Sequence, residues 1–270
     1  VSAPHGAAGS HDAKKRFGQH FLHDPGVIGR ILRVIAPQPG DNLVEIGPGL
    51  GALTLPLLER LERLQVIEID RDVIPYLRAA CGDSPRLVVH QADALKFDFG
   101  SLAAAGRPLR LVGNLPYNIS TPLLFHLLDF SVGIRDMHFM LQKEVVDRIV
   151  AAPGSGDYGR LTVTLAARAA AEMLFEVGPG AFRPPPKVVS AVVRITPRPA
   201  PFPLPDPAAY ARVVMAAFGQ RRKTLANALR SLMPATAIAA AGIDPGARAE
   251  TLAPAQFGRL AEQLGAAGTG

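Results

Sequence analysis

Five short apolar runs alternate with stretches of helical periodicity in the first 150 residues, and that alternation limits how the chain can fold. The runs are Asn42 to Ile46, Leu64 to Ile69, Leu87 to His90, Leu109 to Val112 and Met137 to Leu141. Between them, apolar residues recur at helical spacing over 27–36, through Leu53, Leu57, Leu58 and Leu61, over Val73 to Ala80, over 122–129 and over Lys143 to Val150. Strands that alternate with helices predict an α/β fold built on an open parallel sheet with helices on both faces. Such sheets bind ligands beyond the carboxyl ends of their strands. Gly47, Glu68, Asp93 and Asn114 all fall at those ends.

The remainder of the chain reads differently. A proline-rich loop, Pro179 to Pro186, precedes a β-like run from Val188 to Ile195. Pro197 to Pro207 then reads as a linker. Beyond it the periodicity is helical over Tyr210–Phe218, Thr224–Leu232, Ala235–Ala241 and Pro254–Leu264. The expected organisation is a flexible tail over 1–13, a sheet domain over 14–200 and a helical domain over 201–270.

Composition narrows the partners. The chain is 48% hydrophobic, enough for a packed core rather than a disordered polymer. Its net charge of +6 suits an acidic polymer, although solubility alone accounts for a modest excess. Arg outnumbers Lys by 23 to 6, which favours planar recognition of phosphate. A lone Cys81 excludes an internal disulfide and a multi-cysteine metal site, and fits a reducing, cytoplasmic setting. No apolar run reaches membrane-spanning length, and Val1 to His11 has no apolar signal core. No metal and no membrane are expected, and a monomer is.

The turn Gly47-Pro48-Gly49-Leu50-Gly51 lets the backbone approach a ligand closely at the start of a helix. Its spacing is Gly-x-Gly-x-Gly rather than the dinucleotide Gly-x-Gly-x-x-Gly, and an acid, Glu45, precedes it. A shorter loop behind an acid suits a ligand with an amino-acid end. Glu68 lies 21 residues after Gly47, near the spacing of about 20 at which an acid binds ribose hydroxyls. Asp70 is better placed to cap the next helix. Asp93 can accept from an adenine amino group or cap a helix. Amino-acid, ribose and adenine contacts together describe S-adenosylmethionine.

Asn114-Leu115-Pro116-Tyr117 supplies the acceptor side. An exocyclic amino group on a base is a poor nucleophile, because its lone pair is delocalised into the ring. Here the Asn114 side-chain oxygen and the Leu115 carbonyl can accept its two hydrogens. Pro116 fixes the turn, and Tyr117 offers a flat face for the base. Methyl transfer to a base nitrogen is the expected chemistry.

The chain resembles the ribosomal RNA adenine dimethylases, in particular the bacterial enzymes that act on small-subunit (16S) rRNA. The resemblance rests on an ordered set of motifs over residues 14–264. They begin with Lys15-Arg16-Phe17-Gly18-Gln19-His20-Phe21-Leu22 and Glu45-Ile46-Gly47-Pro48-Gly49-Leu50-Gly51-Ala52-Leu53-Thr54. Ile67-Glu68-Ile69-Asp70, Asp93-Ala94-Leu95 and Gly113-Asn114-Leu115-Pro116-Tyr117-Asn118-Ile119-Ser120 follow. Met140-Leu141-Gln142-Lys143-Glu144-Val145-Val146, Phe182-Arg183-Pro184-Pro185-Pro186-Lys187-Val188 and Phe218-Gly219-Gln220-Arg221-Arg222-Lys223-Thr224-Leu225 complete the set.

The resemblance implies a Rossmann-like class I methyltransferase sheet with a small C-terminal helical domain. It also implies that His20 and Leu22 contact the cofactor alongside Gly47, Glu68, Asp93 and Asn114, although many members carry Asn at the position of His20. The implied reaction dimethylates N6 of two adjacent adenosines in the 3′-terminal hairpin of 16S rRNA, within the immature small subunit. Phe182, held by its proline-rich loop, is either the second face of the base or an ordinary hydrophobic plug. Lys14, Lys15 and Arg16, with Arg221, Arg222 and Lys223, are candidates for phosphate. Two rival readings are a large-subunit rRNA adenine methylase of the antibiotic-resistance type and a ribosome-assembly factor acting by binding.

Overall fold

The computed structural model describes residues 20–103, 106–220 and 222–266. The expected tail, Lys14 to Arg16 and Arg221 lie outside them. The elements run β1 (Phe21–Leu22), α1 (Pro25–Ile35), β2 (Asn42–Ile46), α2 (Thr54–Leu58), β3 (Leu64–Glu68), α3 (Ile74–Ala80), β4 (Leu87–Gln91) and β5 (Leu109–Asn114). They continue with α4 (Ser120–Leu128), β6 (Ile134–Gln142), α5 (Lys143–Val150), α6 (Arg160–Ala166), β7 (Ala169–Val177), β8 (Phe182–Arg183) and β9 (Ser190–Pro197). Four helices complete the chain: α7 (Pro207–Gly219), α8 (Leu225–Ala228), α9 (Ala235–Ala240) and α10 (Pro254–Ala266).

Seven strands form one sheet in the order β4-β3-β2-β5-β6-β9-β7. The pairs β3–β4, β2–β3, β2–β5 and β5–β6 are parallel. The expected α/β fold is present, and β9 and β7 extend its parallel strands into a mixed sheet with helices around it. Strands β2, β3 and β5 are buried along nearly their whole length. That is why they read in sequence as continuous apolar runs rather than alternating ones.

The chain divides into two compact units, Val1–Lys143 with Leu174–Val193, and Glu144–Met173 with Arg194–Gly270. A single boundary near residue 200 does not describe this division, since the cuts fall inside β7 and β9. The reason is packing. Tyr158, Val163 and Ala167 are buried in one core with Tyr210, Val213, Leu229, Phe257 and Leu260. The Tyr158 hydroxyl donates to the Leu252 carbonyl at 2.7 Å and the Tyr210 hydroxyl to the Val163 carbonyl at 2.9 Å. Thr224–Leu232, expected as one helix, keeps only the short α8.

In the first unit, β5 is fixed at both ends. Near its start, Arg110 is buried and donates to Asp41 (2.6 Å), to Asp136 (3.0 Å) and to the Ile35 carbonyl at the end of α1 (2.6 Å). At its far end Gly113 lies against β2, where an added Cβ would come within 2.4 Å of the Ile46 carbonyl oxygen. Asn114 follows directly, paired in register with Met140 of β6. Arg110→Met would leave Asp41 and Asp136 without their main cation in a poorly solvated place. Urea denaturation should show a loss of about 3 kcal/mol, as for breaking a buried ion pair from one side. A loss below about 1 kcal/mol would show that Arg135, which also reaches both carboxylates, suffices.

Candidate active site

One cavity of about 260 Å³ opens at the carboxyl ends of β2, β3, β4 and β5. His20, Leu22, Gly47, Glu68, Asp93, Asn114, Leu115, Pro116 and Tyr117 all line it, so the residues singled out at strand ends and in the Asn-x-Pro-Tyr motif converge. Glu45 lines it too.

The acidic side is built around the glycine turn. Gly49 has φ +54°, and its missing Cβ leaves room for the Phe21 ring, which would stand 3.2 Å from such an atom. A side chain here would be both strained and crowded. The turn does not present a row of open amides. Gly47 N–H donates to the Ile67 carbonyl (2.9 Å), Gly49 N–H to Glu68 (3.3 Å) and Gly51 N–H to the Pro48 carbonyl (2.9 Å). The helix behind it, α2, has only five residues. A phosphate cradle supported by a helix dipole is thus not what the turn provides, in keeping with its non-dinucleotide spacing.

Glu68 also accepts from Asp70 N–H at 2.9 Å. Burial pushes its carboxyl up, while the N–H groups of Asp70 and Gly49 pull it back down. Its four acceptor sites leave capacity for a diol beyond those two bonds. Ile69, next along, is 49% exposed and lines the cavity. Ile69 was not singled out from the sequence, where an apolar residue directly after a strand-end acid reads only as the end of a buried strand. Asp93 accepts from Leu95 N–H at 3.0 Å within a turn, caps no helix, and lines the cavity.

The acceptor side is tied to a strap. Strands β1 and β8 pair antiparallel, Phe21 with Arg183 and Leu22 with Phe182, and His23 N–H donates to the Ala181 carbonyl at 2.9 Å. Asn114 Nδ2 donates to the His20 carbonyl at 3.0 Å. A carbonyl only accepts, so this bond fixes which end of the amide faces the strap. Pro116 O accepts from Ile119 N–H (3.2 Å) and from the Ser120 hydroxyl (3.1 Å), and Leu115 N–H donates to the Met140 carbonyl (3.1 Å). The main chain of the motif is therefore held rigidly. The Tyr117 hydroxyl shares a 2.8 Å hydrogen bond with Ser190 Oγ. Burial raises its pKa and the Ser190 bond opposes the rise. Ser190 was not foreseen, because nothing local in sequence marks a partner 73 residues away.

Phe182 does not present a free face. Its ring is 2% exposed, lies outside the cavity wall and packs in the core with Leu22, Val177, Ala181 and Val192. As arranged here it anchors the strap. Arg222 and Lys223 are exposed just before α8, Lys223 N–H donating to the Gln220 carbonyl at 2.8 Å. Among the described residues there is no cluster of side chains suited to a metal, and no helix long and apolar enough to cross a membrane.

Glu45 is 1% exposed and accepts from the Thr54 hydroxyl at 2.6 Å. Burial pushes its carboxyl up to about 7, with Thr54 pulling it partly back and Glu68 adding to the rise. The folded protein holds this proton until about pH 7, whereas the unfolded chain releases it near 4.5. Over that window the folded state binds more protons, so stability falls as pH rises and levels off above it. Glu45→Gln should remove the effect. In cofactor-free protein its stability at pH 8 should exceed the parent's by about 3 kcal/mol, with no difference near pH 4.5. Parallel pH profiles of the two proteins would contradict this.

A family model described as ribosomal RNA adenine dimethylase matches residues 10–265. Proteins named ribosomal RNA small subunit methyltransferase A are similar over 94% of the chain. The one from Pseudomonas aeruginosa is 58% identical over 95% of its own length, and the one from Thiobacillus denitrificans 58% over 98%. Among solved structures, a dimethyladenosine transferase from Plasmodium falciparum has a TM-score of 0.80 and 25% identity, covering 92% of this chain and 98% of its own. The 23S rRNA methyltransferase ErmE has a TM-score of 0.69 and 28% identity, with coverage of 91% and 99%.

Proposed function

Because the chain belongs to the ribosomal RNA adenine dimethylase family, we propose that it dimethylates N6 of two adjacent adenosines in the 3′-terminal hairpin of 16S rRNA, using S-adenosylmethionine. The observation that carries this reading is one cavity whose acidic side suits a nucleoside with an amino-acid end and whose other side holds an amine acceptor.

The donor set fits that cofactor. Glu68 would accept from ribose hydroxyls, Ile69 would offer an apolar surface to the adenine, Asp93 would accept from its amino group, and the acids Glu45 and Glu68 would favour a cationic amino end. Leu22 and the main chain of His20, which line the cavity, would hold its other side. When bound, S-adenosylmethionine supplies a methyl group activated on a sulfonium.

The chain's own work is to position the target amine. With Nδ2 committed to the strap, Asn114 Oδ1 takes one N–H of the target and the Leu115 carbonyl takes the other. Both bonds draw the lone pair out of ring conjugation and aim it, so positioning carries most of the catalysis. The base leaves its stack at a cost of about a few kcal/mol, and stacking on Tyr117 returns roughly 1–3 kcal/mol. Lys14, Lys15, Arg16, Arg221, Arg222 and Lys223 hold the RNA backbone of the immature subunit.

The likeness to ErmE favours a second reading, large-subunit rRNA as substrate, and one experiment separates the two. Labelled methyl is offered to unmethylated small subunits and to large subunits, and the labelled bases are mapped. The expected result is label on two adjacent adenosines near the 3′ end of 16S rRNA, with Asn114→Ala lowering kcat about 100- to 1,000-fold, the scale of losing one positioned transition-state contact. Label on large subunits would favour the second reading. Near-normal turnover by Asn114→Ala would remove the amine-acceptor assignment.

A further inference from the structure

Ser190 is 1% exposed and opens β9, yet its hydroxyl reaches a side chain of the cavity through the 2.8 Å hydrogen bond shared with Tyr117. A buried hydroxyl destabilises a fold unless it is bonded, and an alanine would fill the same strand position without needing a partner. The other end of the bond is a partly exposed ring that lines the site. Both partners hang from one frame. Near the end of β6 the Met140 carbonyl accepts from Leu115 N–H at 3.1 Å, and Lys143 N–H, directly after β6, donates to the Val189 carbonyl at 2.9 Å. Strand β9 lies beside β6 in the sheet. The separation of Tyr117 from Ser190 is therefore set by a buried strand rather than by a loop.

We propose that Ser190 is a positioning residue for the methylation, fixing the Tyr117 ring in the plane on which the target adenine stacks. The proposal rests on the adenine-methylation reading above and adds to it a residue that acts through Tyr117. A tyrosine ring turns about two torsions, and the outer one is broad and only two-fold. Pro116 and the hydrogen bonds of the turn hold the Tyr117 main chain, but they leave those torsions free. A hydrogen bond at the far end closes them, because the ring is then held at Cβ and at its hydroxyl together. A face oriented before the base arrives has no ordering cost to meet when it does. Burial raises the Tyr117 pKa above its ordinary value, so the hydroxyl keeps its proton at neutral and mildly alkaline pH. The hydroxyl adds nothing to the stacking surface itself, which a phenylalanine would supply equally. Ser190 and the Tyr117 hydroxyl thus act as one unit, and removing either end should have the same effect.

The test uses the full-length protein with unmethylated small subunits, comparing the parent with Ser190→Ala, Tyr117→Phe and the double variant. Initial rates are measured with each substrate varied in turn, and thermal melts establish that each variant folds. Ser190→Ala should lower kcat/KM for the subunit about three- to tenfold, the scale of leaving one side chain to be ordered on binding. Tyr117→Phe, which keeps the ring and loses the hydroxyl, should match that loss within about twofold, and the double variant should be no worse than either single one by more than about twofold. KM for S-adenosylmethionine should change less than about twofold throughout. If Ser190→Ala does not fold, Tyr117→Phe reports on the same bond from its other end. An unchanged kcat/KM in either single variant overturns the proposal, and a lowered melting temperature alone would then make Ser190 a packing residue only. Losses that multiply in the double variant also overturn it, since they show two hydroxyls acting independently. An equal rise in KM for the cofactor overturns it as well, because the defect would then lie in the shared cavity rather than at the base. Failure of the parent itself to methylate the subunit would sink the underlying reading, an outcome distinct from all of these.

Discussion

The 3.0 Å hydrogen bond from Asn114 Nδ2 to the His20 carbonyl is the contact on which the site depends. It spends the donor end of the amide on the strap and leaves the acceptor end for the ligand. Three segments distant in sequence must meet for it to form. Gly113 brings the end of β5 against β2, where no side chain would fit. The β1–β8 pair holds the strap in place. Phe182 and Leu22, opposite one another in that pair, bury its apolar side in the core.

The cavity's other half stores an electrostatic cost. Glu45 and Glu68 are both buried, burial raises the cost of ionising each, and Glu68 adds to the cost at Glu45. Thr54 and the amides of Gly49 and Asp70 offset part of it. A cationic ligand group would offset more, and the amino end of the proposed cofactor is such a group. The same burial that raises the Glu45 carboxyl in the ligand-free protein would thus favour a positively charged ligand group.

Much of this was legible in the chain itself. Gly47, Glu68, Asp93 and Asn114 could be placed together because a parallel sheet gathers its strand ends on one edge. What could not be read were contacts set by tertiary packing. Ser190 meets Tyr117 across the fold, with no local pattern to announce it. Phe182 in a proline-rich loop could be a stacking face or a plug from sequence alone, and the β1–β8 pairing turns it inward as a plug. Strand β7 begins Ala169-Ala170-Ala171, residues with little strand preference, and its place in the sheet comes from its neighbour β9. The division into units escaped the composition shift at Pro197 to Pro207, because Tyr158 and Val163 pack into a core whose other members lie beyond that linker.

The central claim is that a methyl donor and an adenine amine meet in one cavity. Its most direct test is the affinity of a bisubstrate ligand, an adenosine whose N6 is tethered to the sulfur position of S-adenosylhomocysteine. The expected result is binding at least 100-fold tighter than S-adenosylhomocysteine alone, with most of the gain lost in Asn114→Ala. Affinity no better than that of S-adenosylhomocysteine, or a gain untouched by Asn114→Ala, would contradict it.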